Sequence, residues 1–270
     1  MISKKAIKFP IILILILLLV HSVVGSITWR MLLNIQALEI IFAGIFLTSI
    51  ISYSYETLVT TLLMVKKSFR YKIDYEGSIY KVYNYAVKIK KHGILKLQNE
   101  IEREEHPFIK KSLELVSDMT AAKDIEGILA KDMESRKSDL AKAYNVLKMI
   151  SQVAPAFGLI GTLIGMIGLL SNIDNSTALI SNMSSALIST LYGALISNFL
   201  AIPLMGRIRE MIDYQILEYK IITEGTVHIA KNDSVRNVFN KMNAMLPIEK
   251  RLPYPQNYAQ QDRGKIIYED

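Results

Sequence analysis

The stretch MISQVAPAFGLIGTLIGMIGLLS, Met149 to Ser171, decides how the rest of the chain is read. It carries no charged residue, and it is long enough to cross a bilayer as a helix, which takes roughly 20 residues. Working outward, three more stretches share this texture: Phe9 to Trp29, Met31 to Tyr53 and Ala178 to Gly206. Charged residues make up 21% of the 270, yet they nearly vanish from these four. The expected fold is therefore all-α, a four-helix transmembrane protein with a helical cytoplasmic domain. The absence of cysteine excludes disulfide-stapled modules, zinc ribbons, and iron–sulfur or thiol-redox sites. A hydrophobic content of 51% without low-complexity tracts excludes a disordered chain.

The net charge of +7 is a topology signal. Lys4, Lys5 and Lys8 precede the first span, eighteen Lys and Arg lie between spans two and three, and ten follow the fourth, so 31 of 32 share one side. Arg30 alone faces the other way, and the turn Asn172 to Thr177 carries Asp174 but no base. The positive-inside rule then puts both termini and the central segment in the cytoplasm. No stretch interleaves aromatics with bases as a nucleic-acid platform does, so no nucleic acid is expected. The run ending in Gly25-Ser26 is long for a cleaved signal and a second span follows at once, so it is read as a retained helix.

The expected organisation is spans one and two in residues 1–53, a cytoplasmic helical domain over 54–148, spans three and four over 149–206, a cytoplasmic helix over 207–247 and a disordered tail over 248–270. Span two lacks Gly or Pro at its end and is expected to run on as helix to Phe69. Ile79, Val82, Tyr83, Ala86 and Val87 form a stripe ended by Gly93, with Lys88, Lys90, Lys91 and His92 in its last turn. A second piece, Ile94 to Arg103, stops before Pro107, and Ile109, Leu113 and Val116 make a third stripe. From Ala122 one helix is expected to continue into span three.

Spans three and four differ from the first two. In span four Ser181, Ser185, Ser189, Gly193, Ser197 and Ala201 recur every fourth position, and span three carries Gly158, Gly161, Gly165 and Gly168. Small residues at this spacing let helices approach closely in lipid, so plain packing explains most of them. Asn182, Thr190 and Asn198 ask for more, because a polar group in hydrocarbon needs a partner or a wet path. From Met149 to Gly206 the only carboxylate is Asp174, in the outer turn. A carboxylate for ion transport must then come from another chain. Glu39 in span two is read as lying near the outer interface, against the alternative of a direct ion role. Pro155 and Pro203 each remove a backbone donor, giving either a static kink or a movable joint.

Residues Ala154-Pro155-Ala156-Phe157-Gly158-Leu159-Ile160-Gly161-Thr162-Leu163-Ile164-Gly165 resemble the flagellar stator subunits of the MotA/TolQ/ExbB proton channel family, as do Ser189-Thr190-Leu191-Tyr192-Gly193 and Ala201-Ile202-Pro203-Leu204. Weaker similarities are Gln36 to Gly44, His92 to Leu95, Pro107 to Lys111, Glu224-Gly225 and Leu246-Pro247. The resemblance implies a homo-oligomeric ring, expected as a pentamer, in the bacterial inner membrane. It implies a MotB-type single-span partner supplying the ion-binding aspartate, and a FliG-type rotor protein as load. Carried over by position, Thr162 and Thr190 line a path for H+ or Na+, and Pro155 and Pro203 couple ion binding to helix movement. Gly158, Gly161, Gly165 and Gly193 pack the helices. Lys90 matches a basic rotor contact, against the alternative of a solvated helix-end charge; the matching acidic position holds Gln98, so Glu100 or Glu102 substitutes.

The alternative is an ExbB/TolQ-like ion-driven energiser for a non-flagellar load, against which the four-span layout counts. An enzyme is not expected. His21, His92, His106 and His228 lack ligand spacing, no glycine-rich loop carries a phosphate-binding lysine, and spans three and four offer hydroxyls without a base. No cofactor is expected beyond the transported ion. The orientation is testable because the chain has no cysteine of its own. An Asp174→Cys variant should react with a membrane-impermeant maleimide in intact spheroplasts, and Lys96→Cys only after lysis. The reverse labelling would invert the topology.

Overall fold

The computed structural model describes residues 33–70, 73–171 and 176–255. Among these residues the chain is helical with no strand. Span one, Phe9 to Trp29, lies outside them. The helices are α1 (Ile35–Ser52), α2 (Tyr55–Arg70), α3 (Tyr75–His92), α4 (Gln98–Glu102), α5 (Pro107–Ser117), α6 (Ala122–Ser171), α7 (Ser176–Leu195), α8 (Ile202–Ala230) and α9 (Val235–Ala244). Short 3-10 turns occupy Ile94–Leu97 and Ile248–Lys250, and a π-helical segment, Ile196–Ala201, joins α7 to α8. Three helices in the described residues are long and apolar enough to cross a membrane: Ile35–Ser52, Ala122–Ser171 and Leu179–Ala230.

The chain divides into two compact units, Met1–Thr61 with Asn145–Gly206, and Leu62–Tyr144 with Arg207–Asp270. In the first, α1 begins at Asn34, whose side chain accepts the Ala37 N–H at 2.9 Å and satisfies one of the donors that a helix start leaves open. Ile41, Ile45 and Ala154 form its small core, with Ile150, Val153, Phe157, Tyr192 and Ile196 against them. Large apolar side chains remain exposed along these helices, Phe46, Ile50, Leu163, Ile167 and Leu187 among them, as suits surfaces whose solvent is lipid or other helices.

The second unit has an ordinary globular core. The α3 stripe of Ile79, Val82, Tyr83 and Ala86 is buried against Phe108, Ile109 and Leu113 of α5, Ile125 and Leu129 of α6, Ile221 and Ile222 of α8, and Phe239 and Met242 of α9. Phe108 stacks on Tyr219 with ring centroids 4.3 Å apart. The helix ends follow local chemistry. Asp74 caps α3 through the Gly77 N–H, and Gly93 ends it at φ 78°, a left-handed value that glycine adopts without strain. His106 Nδ1 accepts the Ile109 N–H at 3.3 Å at the start of α5.

Three expectations are corrected. Span two does not run unbroken to Phe69: Tyr53 is extended at φ −135° and ψ 147°, and a new helix starts where Ser54 accepts the Thr57 N–H at 3.3 Å. The run after Gly206 is not one helix, because Asn232 turns at φ 61° and Ser234 starts α9 by accepting the Asn237 N–H. The tail expected to be disordered from residue 248 is packed as far as Tyr254. Leu252 exchanges two backbone hydrogen bonds with the Asn243 amide, and the Tyr254 ring meets Phe239 and Tyr83 edge-on at 5.3 and 6.0 Å. Residues 256–270 lie outside the described residues.

Two acidic groups tie this unit together. Burial alone raises the Glu104 carboxyl, but Lys81 Nζ at 2.8 Å, the His106 N–H at 2.9 Å and the Tyr85 hydroxyl at 3.2 Å outweigh it and hold it low. Asp132 is likewise held low against its own burial by Lys111 at 2.6 Å and Arg136 at 2.7 Å. A carboxyl depressed by folding stabilises the native state above its ordinary value and loses that contribution as pH falls through the folded value. Thermal unfolding of the purified protein should therefore be steady above the ordinary value of 4.5 for Glu104 and drop as pH falls below it and then below 3.8 for Asp132. Glu104→Gln should lower the plateau and make the acid limb shallower.

Candidate functional site in the apolar helices

The site is built where α6 and α7 come nearly into backbone contact. A methyl group added at Gly158 would lie 2.9 Å from the Ser189 carbonyl oxygen, and one at Gly193 only 2.6 Å from that of Ala154 and 3.2 Å from Pro155 Cα. At Gly165 it would lie 2.7 Å from Ala186 Cβ, and at Gly161 2.6 Å from Ser189 Cβ. The neighbouring atoms at these four glycines belong mostly to the other helix, α7 for Gly158, Gly161 and Gly165 and α6 for Gly193. Helix α1 closes one side, with the Phe157 ring lying in the space that a side chain at Gly44 would fill. The Asn34 N–H donates to the Tyr192 hydroxyl at 3.3 Å.

This close approach brings Thr162 and Thr190 together. Their hydroxyls are in direct hydrogen-bond contact, and Thr162 Oγ1 also reaches the Ala186 carbonyl at 2.9 Å and that of Gly158 at 3.1 Å. Thr162 is half-buried and Thr190 is exposed, so the pair stands at the edge of the helix contact. Two hydroxyls and two carbonyls make an oxygen-rich, uncharged patch. It can hydrogen-bond water or contact a hard cation, but without a carboxylate it has no group to hold a proton at neutral pH. Asn198, in the π-helical segment that follows α7, donates its amide to Ala194 O in α7, 2.9 Å away, and Asn182 lies over Gly168. Glu39 is exposed on α1.

Both prolines stand at irregular points. Pro155 lies inside α6, where its missing N–H leaves the Ser151 carbonyl without its usual donor. That carbonyl is met from the next helix: Ser197 Oγ donates to Ser151 O at 2.7 Å, and Ser197 is only 4% exposed. Pro203 is separated by one residue, Ile202, from the π-helical segment, whose wider turn ends with the Ile202 N–H bonded to Ser197 O. Sequence reasoning placed Ser197 in the stripe of small residues but missed this bond. Counting four residues back from Pro155 marks the open carbonyl, though not its donor.

The residues expected at a rotor contact lie in the other unit and are not brought into one cluster. Lys90 Nζ donates to the Asn232 carbonyl at 2.7 Å and to that residue's side-chain oxygen, so it holds the left-handed turn between α8 and α9. Glu100 pairs with Lys88, the Glu102 carbonyl accepts from Lys110 at 2.7 Å, and Gln98 is exposed. No group of three His, Asp or Glu among the described residues is arranged to hold a metal.

A model of the MotA/TolQ/ExbB proton channel family matches residues 100–221, a range that takes in both prolines, all four packing glycines and both threonines. The match covers just under half of the chain. Motility protein A of Aquifex aeolicus is 29% identical over 241 residues, covering 88% of this chain and 93% of its own. Chemotaxis protein PomA of Vibrio alginolyticus is 28% identical over 222 residues, covering 82% and 87%. In fold, the C. jejuni MotAB structure matches with a TM-score of 0.82 at 17% identity, over 93% of this chain and 99% of that one. The flagellar MotAB stator complex of Bacillus subtilis matches with a TM-score of 0.77 at 22% identity, over 95% and 96%. The family is one of ion channels and not of enzymes.

The packing makes a sharp expectation. Gly193→Val should displace α6 from α7, because its side chain has the Ala154 carbonyl, Gly158 Cα and Pro155 Cα in its way. Cysteine pairs introduced as Thr162→Cys and Thr190→Cys should cross-link readily with glycine at 193 and at least tenfold less with valine, on the scale of the 1–3 kcal/mol cost of overpacking. Equal cross-linking would show that the helices tolerate the side chain.

Proposed function

We propose that this chain is the stator subunit of a flagellar motor, carrying H+ or Na+ together with a MotB-type partner and turning ion flow into torque on the rotor. The observation that carries this reading is the Thr162–Thr190 hydroxyl pair, held at the edge of a glycine contact between two spans, Met149 to Ser171 and Ala178 to Gly206, that contain no carboxylate. An ion path of this kind is incomplete without an acid from a second chain, and a single-span partner with one aspartate supplies it. The similarity to Motility protein A and to PomA over most of their lengths supports the same reading.

Four spans per subunit, with both termini in the cytoplasm of a bacterium and the apolar helices in its inner membrane, complete the proposal. The exposed apolar faces of α1, α6 and α7 are then covered by lipid, by neighbouring copies in a ring of five, and by the partner's helices. Pro155 and Pro203 are the joints through which occupancy of the partner's aspartate changes helix geometry. On the second unit, the α4 region with Gln98, Glu100 and Glu102 faces a FliG-type rotor protein, and Lys90 fixes the turn behind it through Asn232. A protein of this class takes no organic cofactor.

The test is deletion of the gene in its host, followed by complementation with wild type, Thr190→Val or Pro203→Leu, with membrane insertion of each confirmed. Deletion should abolish swimming while filaments still assemble, and both inserted variants should fail to restore it. Normal swimming of the deletion strain, in a host with no second stator set, would overturn the flagellar assignment in favour of an energiser with another load.

A further inference from the structure

Helix α6 is opened at Pro155, and α7–α8 is irregular just before Pro203. Nothing in the covalent chain requires these two points to communicate, since they lie on different helices almost fifty residues apart in sequence. Ser197 touches both. Its hydroxyl donates to Ser151 O at 2.7 Å, the carbonyl that Pro155 leaves open, and its own carbonyl accepts the Ile202 N–H at the end of the π turn, one residue before Pro203. At 4% exposure it has no water to fall back on. Loss of the hydroxyl would leave a half-buried acceptor without this donor, which is the costly side of the hydrogen-bond balance. The Gly193 approach to Pro155 Cα, one turn away, fixes the register in which the hydroxyl can reach. A π turn is itself a high-energy arrangement that is found at functional points in helices. Here it sets Ser197 where a donor is missing.

We infer that Ser197 is a positioning residue that ties the Pro155 opening to the π turn before Pro203, so that the two proline joints move as one unit and not separately. The inference deepens the stator reading and rests on it for its consequence in torque, but the link itself is a property of the fold. When α6 bends at Pro155, Ser151 O shifts, and the Ser197 hydroxyl carries that shift into the turn that sets the direction of α8. Severing the link leaves both prolines in place and removes their concert.

The experiment uses the full complex with its single-span partner, in native membranes and in liposomes. Amide hydrogen exchange over residues 196–203 is compared among wild type, Ser197→Ala, Pro155→Ala and the double variant. Ser197→Ala should speed exchange roughly fivefold, the equilibrium weight of one hydrogen bond. In the Pro155→Ala background the restored N–H occupies Ser151 O, so adding Ser197→Ala should change exchange there by less than twofold. Equal acceleration in both backgrounds, or none in either, overturns the link. Swimming speed and ion flux are measured alongside. Ser197→Ala should retain ion-dependent flux while swimming falls severalfold, and Ser197→Thr, which keeps a hydroxyl, should recover part of it. Unchanged swimming in Ser197→Ala with altered exchange overturns the coupling role. A wild-type complex that neither conducts nor drives swimming, with the exchange pattern as expected, defeats the stator reading and leaves the link standing.

Discussion

Every feature of the apolar unit depends on how closely the backbone of α6 lies to that of α7. In lipid there is little hydrophobic gain from bringing two helices together, so association depends on van der Waals contact and on whatever hydrogen bonds the surfaces allow. Gly158 and Gly193 provide the first by removing side chains where the helices cross, each facing the backbone atoms of the other. Gly161 and Gly165 extend the same contact along α6 by receiving Ser189 and Ala186. The second follows from the first, because only at this separation do Thr162 and Ser197 reach carbonyls on the neighbouring helix, Ala186 O at 2.9 Å and Ser151 O at 2.7 Å. The hydroxyl pair and the Pro155 repair are thus two products of one steric permission.

The two units solve different solvent problems with the same secondary structure. Leu62–Tyr144 with Arg207–Asp270 buries aromatic rings and satisfies acids with bases, as at Glu104 with Lys81 and Asp132 with Lys111 and Arg136. Met1–Thr61 with Asn145–Gly206 buries few large side chains among its described residues, and it sends serine and threonine hydroxyls to backbone carbonyls in place of water. Charge is nearly absent from the apolar helices of one and structural in the other. This contrast lets one uninterrupted α6 carry Asp132 near its start and Thr162 near its end without conflict.

Much of this was legible from residue order. The apolar runs marked α1, α6 and α7, the α3 stripe and its glycine stop were visible, and the fourfold spacing of small residues named the surface that packs. Interruptions were missed where they depend on polar caps and not on glycine or proline. Ser54 with Glu56 in the following turn, and Asn232-Asp233-Ser234, are helix-start signals that the continuous apolar spacing outweighed. The Thr162–Thr190 contact could be named only through resemblance, because periodicity fixes a face and not the rotation of one helix against another. Lys90 shows the reverse case: its place at the end of α3 was evident, but its partner, Asn232, lies in a turn that the sequence reading had filled with helix. Ser197 was hidden for a related reason, since the π turn shifts its register by a residue relative to the even spacing.

The Tyr254 ring, seated on Phe239 and Tyr83, gives the described C-terminus a practical boundary. A fluorescent protein joined after Pro255 would leave that aromatic cluster and the paired bonds from Leu252 to Asn243 intact. One joined after Pro247 would strip both away and remove the Tyr254 ring from its edge-on contact with Phe239, now 1% exposed. Where a reporter is attached thus decides whether it reports on the native chain or on one with its aromatic cover removed.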